Sequence, residues 1–299
     1  METGAQPSAT LTPALFKRLH PQPYLSKFLD QQVRPDGRPL TGTHDVWRDA
    51  SVNLGSVSTA PSSALVRLGK TTVVCGITLE IAPPDITTPY QGFLVPNVDL
   101  SSLCSPMFRP GPPSDESQVI SSRLRDILIS SNLVSLESLC IEPGKSAFVV
   151  YLDLVCLNYD GGVLDAALLA SVGALKSLVL PKAEYDIDSG TTVCEPISDA
   201  NPGERIRLSS QPCAVSFGYF NGHLLPDPTL FESQLSESRI TIVLDSTTTT
   251  TTTTTKGQKS RELLGVYQAG APLGSKGRDL LKRCVDMAKS RAGELSKLL

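Results

Sequence analysis

The hydrophobic positions of this chain change period several times, and the changes divide it into elements. Tyr24, Leu25, Phe28 and Leu29 recur at helical spacing, so the segment from Pro23 predicts a docking helix, with a shorter one around Leu11–His20. Between Asp45 and Glu80 the texture turns to short β-rich runs. Two of them, Ala64–Leu68 and Thr71–Leu79, flank Gly69-Lys70. A Gly-X pair between alternating apolar runs predicts a hairpin closed by a II′-type turn. After a proline-rich stretch over 82–113, Ser114-Asp-Glu opens a helix. The serine suits the N-cap, and the acids meet the positive end of the helix dipole. Ile120, Leu124, Ile127 and Leu128 share one face of it.

Ala147 to Leu157 is almost continuously apolar, the pattern of a strand covered on both faces. Gly161-Gly162 then turns the chain into a helix over about Leu164–Leu178. Leu168, Val172, Leu175 and Val179 form its apolar repeat, while Ala166, Ala167, Ala170 and Gly173 allow close packing. Further strands are expected at 212–220, 222–225, 239–244 and 263–267. The last helix, from about Lys276, puts Leu281, Cys284, Val285, Ala288 and Leu295 on one face.

Strands followed by a helix, twice over, predict an α+β fold with two similar halves. Residues 1–22 read as an N-terminal tail and 23–299 as the folded domain, its first half about 34–180 and its second about 181–299. A Thr-rich insert, 246–260, lies between the last two strands and contains nine consecutive threonines, 247–255. Such a polar tract has nothing to bury and is expected to be a disordered or variable hairpin insert.

Composition narrows the picture. In 299 residues, 30 acids and 27 bases leave a net charge of −3, with a pI of about 5.7, unlike the strongly basic balance of a freestanding nucleic-acid binder. The seven cysteines are no closer than 16 residues apart and the three histidines lie away from them, so no zinc spacing exists and buried free thiols are expected. The N-terminal segment lacks the basic start and long apolar stretch of a signal peptide, and the longest uncharged run is too polar to span a membrane. A soluble intracellular protein without membrane contact is expected.

Gly69-Lys-Thr and Gly144-Lys-Ser lack the glycine five positions earlier that a P-loop needs, and each leads into a strand rather than a helix. No metal or cofactor signature is present. Arg34-Pro-Asp-Gly-Arg38 is more specialised, since Pro35 fixes φ and Gly37 supplies a turn between two arginines. It fits a salt-bridged turn, or an arginine contact with phosphate or a partner.

That segment, followed by Val52–Ser56, by Ser63–Gly76 with its Gly-Lys-Thr-Thr hairpin, and by Asp160-Gly-Gly162, resembles the RNase PH family. With Val95–Leu100 and Phe108-Arg-Pro-Gly-Pro-Pro113, it is most similar to the family's non-catalytic ring subunits of the RNA exosome. The resemblance runs from about residue 24 to 292. It implies an RNase PH-like fold of two βαβα halves, of the ribosomal protein S5 domain 2-like class, and a ring of six such domains around a pore. It further implies other RNase PH-like ring subunits, an S1/KH cap subunit and single-stranded RNA as partners, and residence in nucleus, nucleolus and cytoplasm.

Active members degrade RNA phosphorolytically from the 3′ end, and in them an arginine after Asp-Gly-Gly helps to hold phosphate. Here Val163-Leu164 stand in that place, and an aliphatic side chain cannot donate to a phosphate oxygen. The Trp-containing loop of active members is replaced by Gln91–Pro96. Asp227, between Pro226 and Pro228, is where an acid of the active site would fall and reads as a turn residue. Val163, Leu164 and Asp227 are therefore degenerate site positions, with no catalytic residue expected. Arg109, in the Gly-Pro-Pro loop, and Arg123 and Arg125, one position out of register with RNA-contacting arginines of related subunits, are the candidate RNA contacts. The alternatives are an active phosphorolytic exoribonuclease of the same family, which Leu164 opposes, and a monomeric binding protein reusing the fold.

Overall fold

The computed structural model describes residues 12–42, 44–187, 190–196, 201–247, 263–272 and 277–299. Two N-terminal helices, α1 (Pro13–Leu19) and α2 (Pro21–Asp30), each begin with proline, which suits a first turn whose N–H has no helical partner. The first half then supplies β1 (Ala50–Leu54), β2 (Ser62–Leu68), β3 (Thr71–Ala82), β4 (Phe93–Asp99), α3 (Asp115–Ser130), β5 (Cys140–Glu142), β6 (Ser146–Asn158) and α4 (Val163–Ser177). Minor strands β7 (Val179–Leu180), β8 (Ala183–Asp186), β9 (Thr191–Cys194) and β10 (Glu204–Arg205) lead to the second half. That half comprises β11 (Pro212–Phe220), β12 (His223–Pro226), α5 (Leu230–Leu235), β13 (Ser238–Asp245), β14 (Leu263–Gly270) and α6 (Gly277–Leu295).

The first sheet runs β1-β2-β3-β6-β4, antiparallel except where β4 lies parallel to β6, and β5 pairs with the start of β6. The second is a four-stranded antiparallel sheet, β12-β11-β13-β14. The Gly69-Lys70 hairpin forms as expected, with Leu68 opposite Thr71 and Gly69 at a φ of 58°. Ser114 caps α3 by accepting from the Ser117 amide, and Ile120, Leu124, Ile127 and Leu128 are buried beneath it.

Three expectations need correction. β6 is covered on both faces only over Ser146–Val150; from Tyr151 onward its residues alternate, so the outer face of the sheet is open there. The second-half hairpin turns at Asn221-Gly222, both at positive φ (44° and 84°), so β12 begins at His223 rather than at 222. Asn-Gly is the residue pair that a two-residue I′ turn favours. Cys194 is exposed and Cys140 only partly covered, because both lie on small strands at the margin of the fold; the other five thiols are buried. The Thr-rich insert falls almost wholly outside the described residues. The strands it joins, β13 and β14, are antiparallel neighbours.

Helix α4 is the centre of the molecule. Every residue from Val163 to Leu175 is buried, not one face alone, because the helix lies against β1, β2 and β3 on one side and β11 on the other. The small residues make this approach possible. A Cβ on Gly173 would already stand 3.2 Å from Leu54 and 3.3 Å from Leu299. One continuous apolar cluster therefore runs through both halves. A second, of Leu25, Leu29, Leu40, Phe220 and Leu225, seats α2 on the second half.

The Arg34–Arg38 turn joins the N-terminal segment to that second half. Arg34 is completely buried, and its guanidinium meets five acceptors: both Glu232 carboxylate oxygens and the carbonyls of Val46, Pro226 and Asp227. A guanidinium has five N–H donors, so none is left for phosphate. Glu232 is itself fixed by the capping box it forms with Thr229 at the start of α5. The segment is a salt-bridged turn. Breaking one member of a buried pair strands the other, at about 3–5 kcal/mol. Arg34→Met is accordingly expected to lower the unfolding free energy by that amount in urea titrations, and Arg34→Met/Glu232→Leu to recover much of it. A single-variant loss below about 1 kcal/mol would show the pair to be dispensable.

Candidate functional site

The second buried arginine, Arg48, organises the place where the two halves meet at the N-terminus of α4. Its Nε donates to Asp227 Oδ2 at 2.9 Å and its Nη2 to Oδ1, while its backbone N–H also reaches Oδ2 at 3.1 Å. Nη1 donates to the Asp160 carbonyl at 2.8 Å. Thr71 adds a bond from its hydroxyl to the Gly161 carbonyl at 2.7 Å. From the other side, Arg291 stacks over Trp47 and donates to the Arg48 carbonyl at 2.6 Å.

This closeness explains the glycine pair. Gly161 and Gly162 both have positive φ, 77° and 65°. A Cβ on Gly161 would lie 2.8 Å from the Pro228 carbonyl, and one on Gly162 would lie 2.7 Å from Arg48 Nη2. Side chains are excluded by conformation and by space together. Asp227 is also left-handed, with a φ of 47°, and its N–H donates to the Ser216 carbonyl.

Two carboxyl groups sit here in opposite electrostatic states. Burial works to raise the pKa of Asp227, but the Arg48 guanidinium, with Arg38 beyond it, holds it below the ordinary value. Asp165, in the first turn of α4, is pushed up to about 7, first by burial and then by the Asp227 charge. Bonds from the Ser216 amide and hydroxyl, both 2.9 Å, and the Arg48 charge only partly oppose this.

Val163 and Leu164 are nearly buried, at 4% and 8% exposure, and form the apolar wall of a cleft of about 400 Å³. Tyr159, Arg123, Arg239 and Tyr267 complete its rim. Tyr159 donates to Glu116 at 2.6 Å, and Arg123 lies over the Tyr267 ring. Asp227 does not line this cleft; it lies behind the Gly161-Gly162 turn, its Oδ1 3.6 Å from where a Cβ on Gly162 would stand, and the cations on the cleft itself are Arg123 and Arg239. Arg123 belongs to this cleft. Arg125 is exposed on the outer side of α3, and Arg109 is exposed on its loop with no partner among the described residues. The three arginines therefore form no single cluster.

A larger groove, about 910 Å³, runs beside Arg38, Lys70 and Arg291, but Asp36, Asp45, Asp49 and Glu294 also line it, a balance unsuited to a polyanion. Among the described residues no group of three or more His, Cys, Asp or Glu side chains could hold a metal ion, and no helix is long and apolar enough to cross a membrane.

Arg48 and Asp165 escaped the sequence reading. Asp165 had a signal, a lone acid within Val163–Leu169 of an otherwise apolar helix. Arg48 had none, since its partner lies 179 residues away.

Raised folded-state pKa means that Asp165 contributes stability only while protonated. That contribution is complete below about 4, the unfolded value, and is lost as pH rises through about 7. Asp165→Asn keeps the neutral shape and can still bond Ser216. Its Tm is expected to match the parent near pH 4, to exceed it increasingly as pH rises towards about 7, and to keep a constant excess above that. A Tm difference that does not change with pH would contradict this account.

Comparison with known proteins agrees with the architecture. The model of the 3′ exoribonuclease family, domain 1, matches residues 47–181, and that of domain 2 matches residues 210–291. The chain is 39% identical over 286 residues to exosome complex component rrp43 of Schizosaccharomyces pombe, covering 94% of this chain and 96% of that protein. Exosome complex component Rrp42 of Methanopyrus kandleri is 34% identical over 265 residues, 88% of this chain and 90% of its own length. Among solved structures, one titled as the Archaeoglobus fulgidus exosome with RNA bound to the active site superposes with a TM-score of 0.74 at 26% identity, over 92% of this chain and 96% of that one. A chain of an archaeal exosome core shares the fold with a TM-score of 0.70 at 22% identity, with the same coverage.

Proposed function

This chain belongs to the RNase PH 3′ exoribonuclease family, and we propose that it serves there as a non-catalytic ring subunit of an RNA exosome. It is homologous to exosome core ring subunits over nearly its whole length. The observation that carries the non-catalytic reading is the state of Asp227 and Leu164. The Asp227 carboxylate is bidentate with Arg48 and buried, at 4% exposure, and so is committed to a structural ion pair. Leu164, where active members place an arginine for phosphate, is an apolar wall of the cleft. Phosphorolysis needs an anion held in line with the 3′ phosphodiester, and cations supply that hold. Leu164 supplies no such hold at its position, which leaves Asp227 and Asp165 to structural roles.

The subunit's work is then structural. Neighbouring RNase PH-fold subunits flank it, an S1/KH cap subunit covers one face, and single-stranded RNA passes through the assembled pore. Nuclear and cytoplasmic exosomes are its setting, with the nucleolus included through ribosomal RNA maturation. Arg109 and Arg125 present free guanidinium groups and are the better RNA contacts; Arg123 already lies over Tyr267.

Two outcomes are expected. The purified chain, alone or assembled with catalytically inactive neighbours, should release no nucleoside diphosphates from 3′-tailed RNA in phosphate buffer. Phosphate-dependent release that persists in nuclease-free preparations would overturn the non-catalytic reading. For RNA binding by the assembled ring, Arg109→Ala and Arg125→Ala should each flatten the slope of log K against log salt by about 0.7, the increment for one lost phosphate contact on a single strand. Unchanged slopes would remove both residues from the RNA path.

A further inference from the structure

We infer that Cys104 and Cys156 form a redox-responsive thiol pair, which peroxide converts to a disulfide that ties the Arg109 loop to β6. Nothing in this depends on the ring reading above. Cys104 lies in the turn after β4, and Cys156 near the end of β6. Both are free thiols and buried, at 5% and 0% exposure. Across the gap between loop and strand, the two thiols hydrogen-bond one another.

Two local features bring them together. On β6 the register with β3 slips between Thr72 and Val73, so that Thr72 faces Asn158 and Val73 faces Cys156, with Leu157 left over. A bulge of this kind re-aims the side chains beside it. On the loop, Cys104 closes a turn. Its amide donates to the Ser101 carbonyl at 3.1 Å, and its thiol to the same carbonyl at 3.0 Å. The two backbones are also fixed against each other. The Tyr159 amide donates to the Cys104 carbonyl at 3.2 Å, and the Tyr159 ring meets Phe108 edge-on, with centroids 5.3 Å apart. A disulfide here therefore asks for side-chain rotation, not for refolding of either segment.

Burial raises both thiols above their ordinary range, Cys156 to about 12. At neutral pH they are protonated and slow to react. Such a pair stays reduced under ordinary reducing conditions, where protein disulfides are transient and redox-sensing, and answers only sustained oxidation. Cys104 reacts first, because its loop meets solvent through exposed Leu103 and Met107. Its thiolate forms an S–O bond with hydrogen peroxide as the O–O bond breaks. The departing hydroxide takes up the proton that Cys104 gave, leaving a sulfenic acid and one water. The Cys156 sulfur then attacks the Cys104 sulfur. The S–S bond forms, the S–O bond breaks, and hydroxide leaves with the Cys156 proton as a second water. Peroxide gains the two electrons that the thiols lose. The product fastens the segment carrying Arg109 to the first sheet.

Peroxide treatment of the folded full chain tests the inference, with Cys194→Ser to remove the exposed competing thiol. Peptide mapping without reductant should find the Cys104 and Cys156 peptides joined and lighter by two hydrogens, and dithiothreitol should release them. The oxidised chain should melt about 3–6 °C higher, since a crosslink across a long loop restricts the unfolded chain. Cys104→Ser and Cys156→Ser should each abolish both effects. If both thiols remain open to alkylation when the treated protein is unfolded, the pair is overturned. A joined chain that melts no higher than the reduced one overturns the tether. Where a serine variant does not fold, the peptide map of the parent protein decides alone.

Discussion

Everything at the centre of this protein depends on two arginines that the fold buries and must therefore satisfy. Arg34 and Arg48 both reach the Pro226–Pro228 turn, Arg34 through its carbonyls and Arg48 through the Asp227 carboxylate. A buried guanidinium without acceptors would be far costlier than the pairs observed. The turn therefore cannot move, Asp227 keeps its left-handed backbone, and the Gly161-Gly162 approach to it stays closed to side chains. α4 inherits its position from this arrangement, and with it the contact between the two sheets.

The same arrangement sets the local electrostatics. One carboxyl held low and another raised to about 7 within a few residues' reach is the pattern usually found where an acid and a base share catalysis. Here it arises from packing alone. The Arg48 charge stabilises the Asp227 anion, that anion penalises a second negative charge, and Asp165 lies too deep for water to help. Opposed pKa values mark a place where charges are buried together, and chemistry needs a substrate-facing partner as well.

How much could be read from the sequence divides along sequence separation. The capped start of α3, the Gly69-Lys70 hairpin and the apolar repeat of α4 were legible because each is specified by residues within a few positions of one another. That Val163, Leu164 and Asp227 are degenerate site positions is a reading supplied by resemblance alone, since nothing local sets such a leucine apart. Arg48 was not legible at all. The complete burial of α4 was missed for a related reason: its small residues predict close packing, but a second sheet on the opposite side is a property of the whole chain. Asn221-Gly222, by contrast, carried its turn signal openly, and the strand was begun one residue too early.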